Sequence, residues 1–296
     1  MLKSLFGGAL FGKRQKGEEW SSAIRWIRTS TTQAFSAEQE LLETFLPSWD
    51  VKNIYIDLPK YGVQFINTYV LKGKEGEGEA QRAAVEEDYA VVMTHGFGGG
   101  AGMFYKTLGY LDETSFASRR RVYAIDWLGM GRSSRPSSGL MSGKAGFPAR
   151  SAFTRKQAEE VSDEAIDYFV NSLEHWREAM NIQKLALVGH SLGGYLSGHY
   201  ALRYPDRVAK LILLSPAGIP ALPEESEEAA PEFVKRNRLT VGFVSAMWKL
   251  NVTPQSVVRV LGPWGPDVVK NLVQRRFVER GLNERECEIL AAYLYH

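Results

Sequence analysis

A chain of 296 residues, 44% hydrophobic and 24% charged, has an ordinary globular composition and can bury a sizeable core as one large domain or two small ones. A formal net charge of +2 does not mark a nucleic-acid binder, and no nucleic-acid partner is expected. The single cysteine, Cys287, excludes an internal disulfide and suits a reducing compartment or a matrix, and no apolar run approaches the ~20 residues that span a bilayer.

The elements in chain order begin with a basic, acid-free start. Residues 1–17 carry Lys3, Lys13, Arg14 and Lys16 among Leu2, Leu5, Phe6, Leu10 and Phe11. That composition is expected of a mitochondrial presequence or a peripheral membrane or lipid-surface anchor; the alternative is a frayed tail on a cytoplasmic protein. Trp20, Ala23, Ile24 and Ile27 fall at helical spacing, so Glu18–Thr29 is predicted to be an amphipathic helix. Its Trp20 and Trp26 either anchor at a membrane interface or pack on the domain. A second helix, Ser36–Leu46, is stopped by Pro47. Strands are expected at Asn53–Leu58 and Val63–Leu71 around a turn at Pro59–Gly62, followed by a solvated loop at Lys72–Asp88. Tyr89–Met93 reads as a buried strand running into the Gly-rich turn Thr94–Gly100 and a helix near Ala101–Leu111. Val122–Ile125 is the next strand, and Asp126 opens a long loop to Ala152. Thr154 and Gln157 are spaced as a capping box for a helix running through Trp176.

The stretch Lys184–Tyr204, KLALVGHSLGGYLSGHYALRY, carries the strongest signal. An apolar strand, Leu185–Val188, leads into Gly189-His190-Ser191-Leu192-Gly193-Gly194, and Tyr195, Leu196, His199, Tyr200 and Leu202 then recur at helical spacing. A serine on a sharp Gly-flanked turn between strand and helix is a nucleophile elbow. Side chains at Gly189, Gly193 or Gly194 would crowd the neighbouring strand or helix, and Ser191 sits at a helix head that favours negative charge nearby. The pattern of such elbows puts oxyanion donors at the N–H of Leu192 and at Phe97 or Gly98 in the Gly-rich turn.

Serine also needs a base oriented by a carboxylate. Five histidines are present. His95 is expected to brace its turn, His175 to lie on a helix and His190 to point away from Ser191 by strand alternation. His199 lies eight residues along the helix, about 12 Å away, and His296 is the last residue. The triad acid and histidine therefore have no counterpart here. After Val208–Gly218, where a strand at Lys210–Leu214 is expected, the strand–helix alternation gives way to an acidic run, Glu224–Glu232. An aromatic, mostly helical segment with Phe243, Met247, Trp248 and Trp264 follows. Asn283–His296 begins with the capping pair Asn283 and Glu286 and shows no C-cap, so the chain reads as a fragment lacking its last strands or as a product without a triad.

Alternating strands and helices predict an α/β fold with a mainly parallel, doubly wound sheet. Residues 1–50 are a basic segment with amphipathic helices, 51–220 the α/β core and 221–296 a helical cap. The cap's aromatics either receive an acyl chain or form its own core.

Residues 95–100 (HGFGGG), the DWLGMGRSSRP loop at 126–136, the GHSLGG elbow, Leu214–Gly218 and Gly262-Pro263-Trp264-Gly265-Pro266 closely resemble the α/β-hydrolase domain 4/5 group. That group includes fungal cardiolipin deacylases and lysophosphatidic acid acyltransferases. The resemblance implies a phospholipid or lysophospholipid substrate, acyl hydrolysis or transfer without a cofactor or metal, and a membrane or mitochondrial setting. The group's H-x-x-x-x-D motif is absent, because no histidine has Asp five positions on, and Asp267 is a poor substitute for the acid. Other readings are a catalytically incomplete lipid-binding or regulatory protein, a peptidase of the same fold, and an epoxide hydrolase or dehalogenase. The last would want Asp in place of Ser191.

Overall fold

The computed structural model describes residues 30–71, 89–114, 116, 120–136, 155–218, 258–278 and 281–296. The expectations for the basic segment 1–17, the helix at 18–29, the loop at 72–88, Thr154, the acidic run and the aromatics 243–248 lie outside the described residues.

Six strands form one mixed sheet: β1 Trp49–Leu58, β2 Gly62–Leu71, β3 Ala90–Thr94, β4 Val122–Ile125, β5 Leu185–His190 and β6 Val208–Leu214. Their spatial order is β1-β2-β4-β3-β5-β6. A hairpin registers β1 on β2 from Leu58 opposite Gly62 to Trp49 opposite Leu71, and β2 joins β4 antiparallel. The pairs β3–β4, β3–β5 and β5–β6 are parallel. Strand polarity thus brings the C-terminal ends of β3, β4, β5 and β6 to one edge, where the loops of such a sheet carry chemistry.

The helices are α1 Thr31–Phe45, α2 Tyr105–Glu113, α3 Arg155–Ala179, α4 Leu192–Arg203, α5 Gly265–Phe277 and α6 Glu284–Tyr295. Strand alternation divides the core in two. Val91, Met93, Val122, Ala124 and Ala186 face a cluster with Leu41, Leu42 and Leu46, Tyr105 and Leu108, Val269 and Val273, and Ile289 and Leu290. Ala90, Val92, Leu185 and Leu187 face the other cluster, with Tyr168, Leu173 and Trp176 of α3 and Leu196 and Tyr200 of α4. Within the span expected to form a cap, α5 and α6 therefore share their core with α1 and the sheet. No helix among the described residues is long and apolar enough to cross a membrane.

Several element boundaries differ from the sequence reading for local reasons. The α1 helix begins at Thr31, not Ser36, because Ser30 and Gln33 form a capping box: Ser30 Oγ accepts from the Gln33 N–H and Gln33 Oε1 from the Ser30 N–H, both at 3.1 Å. The β1 strand starts at Trp49, paired across the whole hairpin, and β6 at Val208. The helix after the Gly-rich turn opens as a 3-10 turn, Ala101–Phe104, before α2. On α6 the predicted pair is in place, with Asn283 and Glu286 capping each other.

Candidate active site

Ser191 joins the end of β5 to the head of α4 and holds φ 52°, ψ −116°. A non-glycine residue at positive φ costs ~1–3 kcal/mol and persists only where its surroundings enforce it. Here they do. The Ser191 N–H donates to Leu214 O at 3.0 Å, while its carbonyl accepts from Tyr195 N at 3.1 Å and Ala217 N at 3.0 Å. The end of β6 and the turn after it thus clamp the elbow from the side. No side-chain capping bond occupies the Ser191 hydroxyl.

The glycines are required by close backbone approach. A Cβ on Gly189 would lie 2.6 Å from Gly194 Cα, and one on Gly193 2.7 Å from His95 O and nearer still to Thr94 O. One on Gly194 would lie 2.9 Å from Gly189 O. Strand and helix meet at this turn with no room for a methyl group. A buried pair of hydroxyls, Thr94 and Ser197 at 3.1 Å, adds a tie between β3 and α4.

The Gly-rich turn lies against the serine. A Cβ on Gly96 would come within 3.0 Å of Ser191 Cβ and 3.1 Å of His190 Nδ1. His190 therefore borders the same glycine as Ser191. Alternation ends where the strand ends, and Ser191 at positive φ is no longer a strand residue. Phe97 is half exposed, Gly98 takes φ 73°, and Leu192 is the first residue of α4, so the three expected donor positions all belong to the turn and helix head beside Ser191.

What holds the turn is a buried brace. His95, 2% exposed, donates from Nδ1 to Gly96 O at 2.8 Å and accepts from the Trp127 N–H at Nε2, 3.1 Å away. Trp127 Nε1 in turn donates to His95 O at 3.2 Å. Both ring nitrogens are thereby used by a neutral imidazole, and burial holds its pKa below the ordinary value even though Asp126 lies 3.8 Å away. His95 is a brace, as expected.

Asp126 is fully buried and satisfied by donors. Oδ1 accepts from Ala101 N at 2.6 Å, and Oδ2 from Arg132 N and Asn67 Nδ2, both at 2.9 Å. The loop after β4 wraps this carboxylate so closely that a Cβ on Gly131, at φ 48°, would lie 2.6 Å from Oδ1. A second buried carboxylate, Glu38 of α1, accepts from Asn67 Nδ2 at 2.8 Å and Tyr69 OH at 3.0 Å, and pairs with Arg132 Nη1. Burial and then the nearby Asp126 raise the Glu38 carboxyl above its ordinary range, with Arg132 and Asn67 opposing. From α6, Tyr293 OH accepts the Gly102 N–H at 3.0 Å.

The other histidines stand apart from this centre. His175 faces Glu178 at 3.9 Å, His199 packs edge-on against Tyr195 with centroids 4.5 Å apart, and His296 lies beside Tyr295. Asp267 is in the first turn of α5. No hydrogen bond joins Ser191 Oγ to a histidine among the described residues, and no three His, Cys, Asp or Glu side chains there gather as they would around a metal ion. Asp126, Glu38, Asn67, Arg132, Tyr69 and Tyr293 are residues of this centre that no sequence motif singles out as functional. Asp126 had a visible signal, an acid at the end of a strand before a Gly-rich loop. Glu38 had none, since its ion-pair partner is 94 residues away.

A family model described as alpha/beta hydrolase fold matches residues 89–283. A protein of Oryza sativa subsp. japonica named probable 1-acylglycerol-3-phosphate O-acyltransferase is 36% identical over 296 residues, covering 95% of this chain and 63% of that protein. The (lyso)-N-acylphosphatidylethanolamine lipase of Homo sapiens is 38% identical over 208 residues, covering 70% of this chain and 51% of that protein. This chain thus spans between half and two-thirds of the length of these curated relatives. The crystal structure of a membrane phospholipase A, a bacterial virulence factor, aligns with 100% of this chain and 71% of that one at TM-score 0.51 and 18% identity, a likeness of fold.

Proposed function

The chain belongs to the α/β-hydrolase fold family, and from that premise we propose that it carries the nucleophile of a serine-dependent acyl hydrolase or acyltransferase acting on phospholipids or lysophospholipids. The observation that carries the reading is Ser191 itself, held at φ 52° between β5 and α4 with its hydroxyl uncommitted to the helix cap and the Gly96 turn against it. Ser191 Oγ attacks the acyl carbonyl carbon, the ester C–O bond breaks, and the lysolipid leaves with the proton the serine gives up. Water or a lysolipid hydroxyl then attacks the acyl-enzyme and returns a proton to Ser191. The negative charge that develops on the carbonyl oxygen calls for the N–H groups of Leu192 and of Phe97 or Gly98, each worth ~3–4 kcal/mol of transition-state stabilisation.

The relatives' names, one an acyltransferase and one a lipase, both concern glycerophospholipids, which supports the substrate class. Cardiolipin and lysophosphatidic acid are the substrates the proposal puts forward, and a peripheral membrane surface is where they are met. None of the five histidines is hydrogen-bonded to Ser191, so the reading rests on the elbow and the turn against it, and it is tested on the natural protein.

A fluorophosphonate probe applied to the natural protein is expected to label wild type and not Ser191→Ala. Equal labelling of both refutes the assignment, and labelling of neither favours the non-catalytic lipid-binding reading. For location, we propose that residues 1–17 direct the protein to mitochondria or a lipid surface. Deleting them is expected to release a tagged protein to the cytosol, and unchanged localisation refutes this.

A further inference from the structure

Two successive amides at the exit of the Gly-rich turn are held by side chains from elsewhere in the fold. Asp126 accepts the Ala101 N–H, and Tyr293 accepts the Gly102 N–H. Both supports lead back to one residue. Asn67 Nδ2 donates to Asp126 Oδ2 at 2.9 Å and to Glu38 Oε1 at 2.8 Å, so a single amide group bridges two buried carboxylates. On the other side Tyr69 OH donates to the same Glu38 oxygen at 3.0 Å. A Cβ on Gly102 would meet both Tyr69 OH, at 3.0 Å, and Tyr293 Cζ, at 2.8 Å, which puts the two phenols side by side under the turn.

The orientation of Asn67 is informative. With both amide hydrogens turned to carboxylates, its Oδ1 is buried with no hydrogen-bond partner among the described residues. A buried unsatisfied carbonyl is unfavourable, so something must hold the amide that way round, and two carboxylates do. Glu38 is therefore more than an anchor for its own helix. It fixes the amide that fixes Asp126, and it receives the phenol that stands beside Tyr293.

We propose that Glu38 is a positioning residue for the oxyanion turn, acting through Asn67 and Asp126 on one side and through Tyr69 and Tyr293 on the other, so that the docking of α1 sets the turn's geometry beside Ser191. This rests on the reading of Ser191 as nucleophile. Replacing the carboxylate by an amide removes the charged acceptor and frees Asn67 to turn over, which loosens Asp126 and then the amides at Ala101 and Gly102. The turn shifts without any change in the residues that touch substrate.

The test compares wild type with Glu38→Gln and Tyr69→Phe in the natural protein, by hydrogen exchange and by fluorophosphonate labelling rate. In Glu38→Gln, peptides covering 95–104 are expected to exchange about tenfold faster while 31–45 and 185–203 keep their protection. Labelling of Ser191 is expected to slow about tenfold, less than the ~100-fold loss of a whole oxyanion donor. Tyr69→Phe removes one donor to Glu38 without a change of charge and is expected to show the same exchange pattern at smaller amplitude; it carries the test if Glu38→Gln does not fold. Unchanged exchange at 95–104 overturns the proposal, and so does loss of protection that spreads equally over 31–45, which would mean that Glu38 only holds its helix. If wild type is not labelled, the Ser191 reading fails and exchange alone decides whether Glu38 governs the turn.

Discussion

Two glycines on α4, five residues apart, are expected to respond oppositely to the same substitution. A methyl group at Gly193 would lie 2.7 Å from His95 O and closer to Thr94 O, where real Cβ atoms keep at least 3.0 Å. The obstacles are backbone carbonyls at the end of β3, so no side chain can rotate away, and helix and strand must part by several tenths of an ångström. Overpacking of this kind costs ~1–3 kcal/mol, and a backbone obstacle places Gly193→Ala near ~3. At Gly198 an added Cβ meets nothing within 4 Å. Gly198→Ala removes only the entropic cost of a glycine inside a helix and is expected to stabilise by ~0.5–1 kcal/mol. The two variants thus differ by about 3–4 kcal/mol, or about 6–8 °C in Tm at ~2 °C per kcal/mol for a long chain. Thermal melts followed by circular dichroism on the two purified variants measure the gap directly. Melting temperatures within about 1 °C of each other would refute the claim that Gly193 is required by close approach. Gly193→Ala is also expected to slow labelling of Ser191, because the carbonyls it displaces border the Gly96 turn.

Glu174 accepts two bonds from Arg177, at 2.9 and 2.6 Å, and one from Tyr200 OH at 2.5 Å, tying α3 to α4. Removing it in Glu174→Ala takes away three hydrogen bonds and leaves the buried Arg177 guanidinium with only Glu178, 3.6 Å away, and the Ile182 carbonyl. The change is expected to cost ~2–3 kcal/mol in a urea titration; a loss below about 1 would refute the pairing. Burial raises the Glu174 carboxyl, but the bonds from Arg177 and Tyr200 outweigh it and hold the pKa below the usual Glu range. A group depressed in the folded state contributes stability above its unfolded pKa of ~4.3 and loses it as pH falls through the lower folded value. Wild type should therefore lose stability more steeply than Glu174→Gln between about pH 5 and pH 3, and equal slopes would count against this. At α6, Asn283→Ala removes the acceptor of the Glu286 N–H at 2.9 Å and is expected to lower stability by ~1 kcal/mol in the same titration, with no change meaning that the cap is idle.

Much of this molecule is legible in its sequence, because local patterns report local constraints. The elbow could be read from its glycines, since only glycine fits where a helix head touches two strands. The sheet could be read from short apolar runs separated by turn residues, and the α6 cap from Asn283 and Glu286 three positions apart. The α1 boundary was equally available in Ser30 and Gln33, but the apolar positions from Leu41 drew the start of the helix too late.

Tertiary structure alone decided the rest. Where the strand gives way to the positive-φ Ser191 is set by the clamp from Leu214 and Ala217, which come from β6 and the turn after it. Glu38 looks like any acid on an amphipathic helix. It became a buried partner of Asn67, Tyr69 and Arg132 only because the fold lays α1 across β2 and the loop after β4. Glycine patterns and caps are restrictions on φ, ψ and contacts within a few residues, so a sequence states them directly. The pairing of charges 94 residues apart is a property of strand order and helix docking, and only the folded chain specifies it.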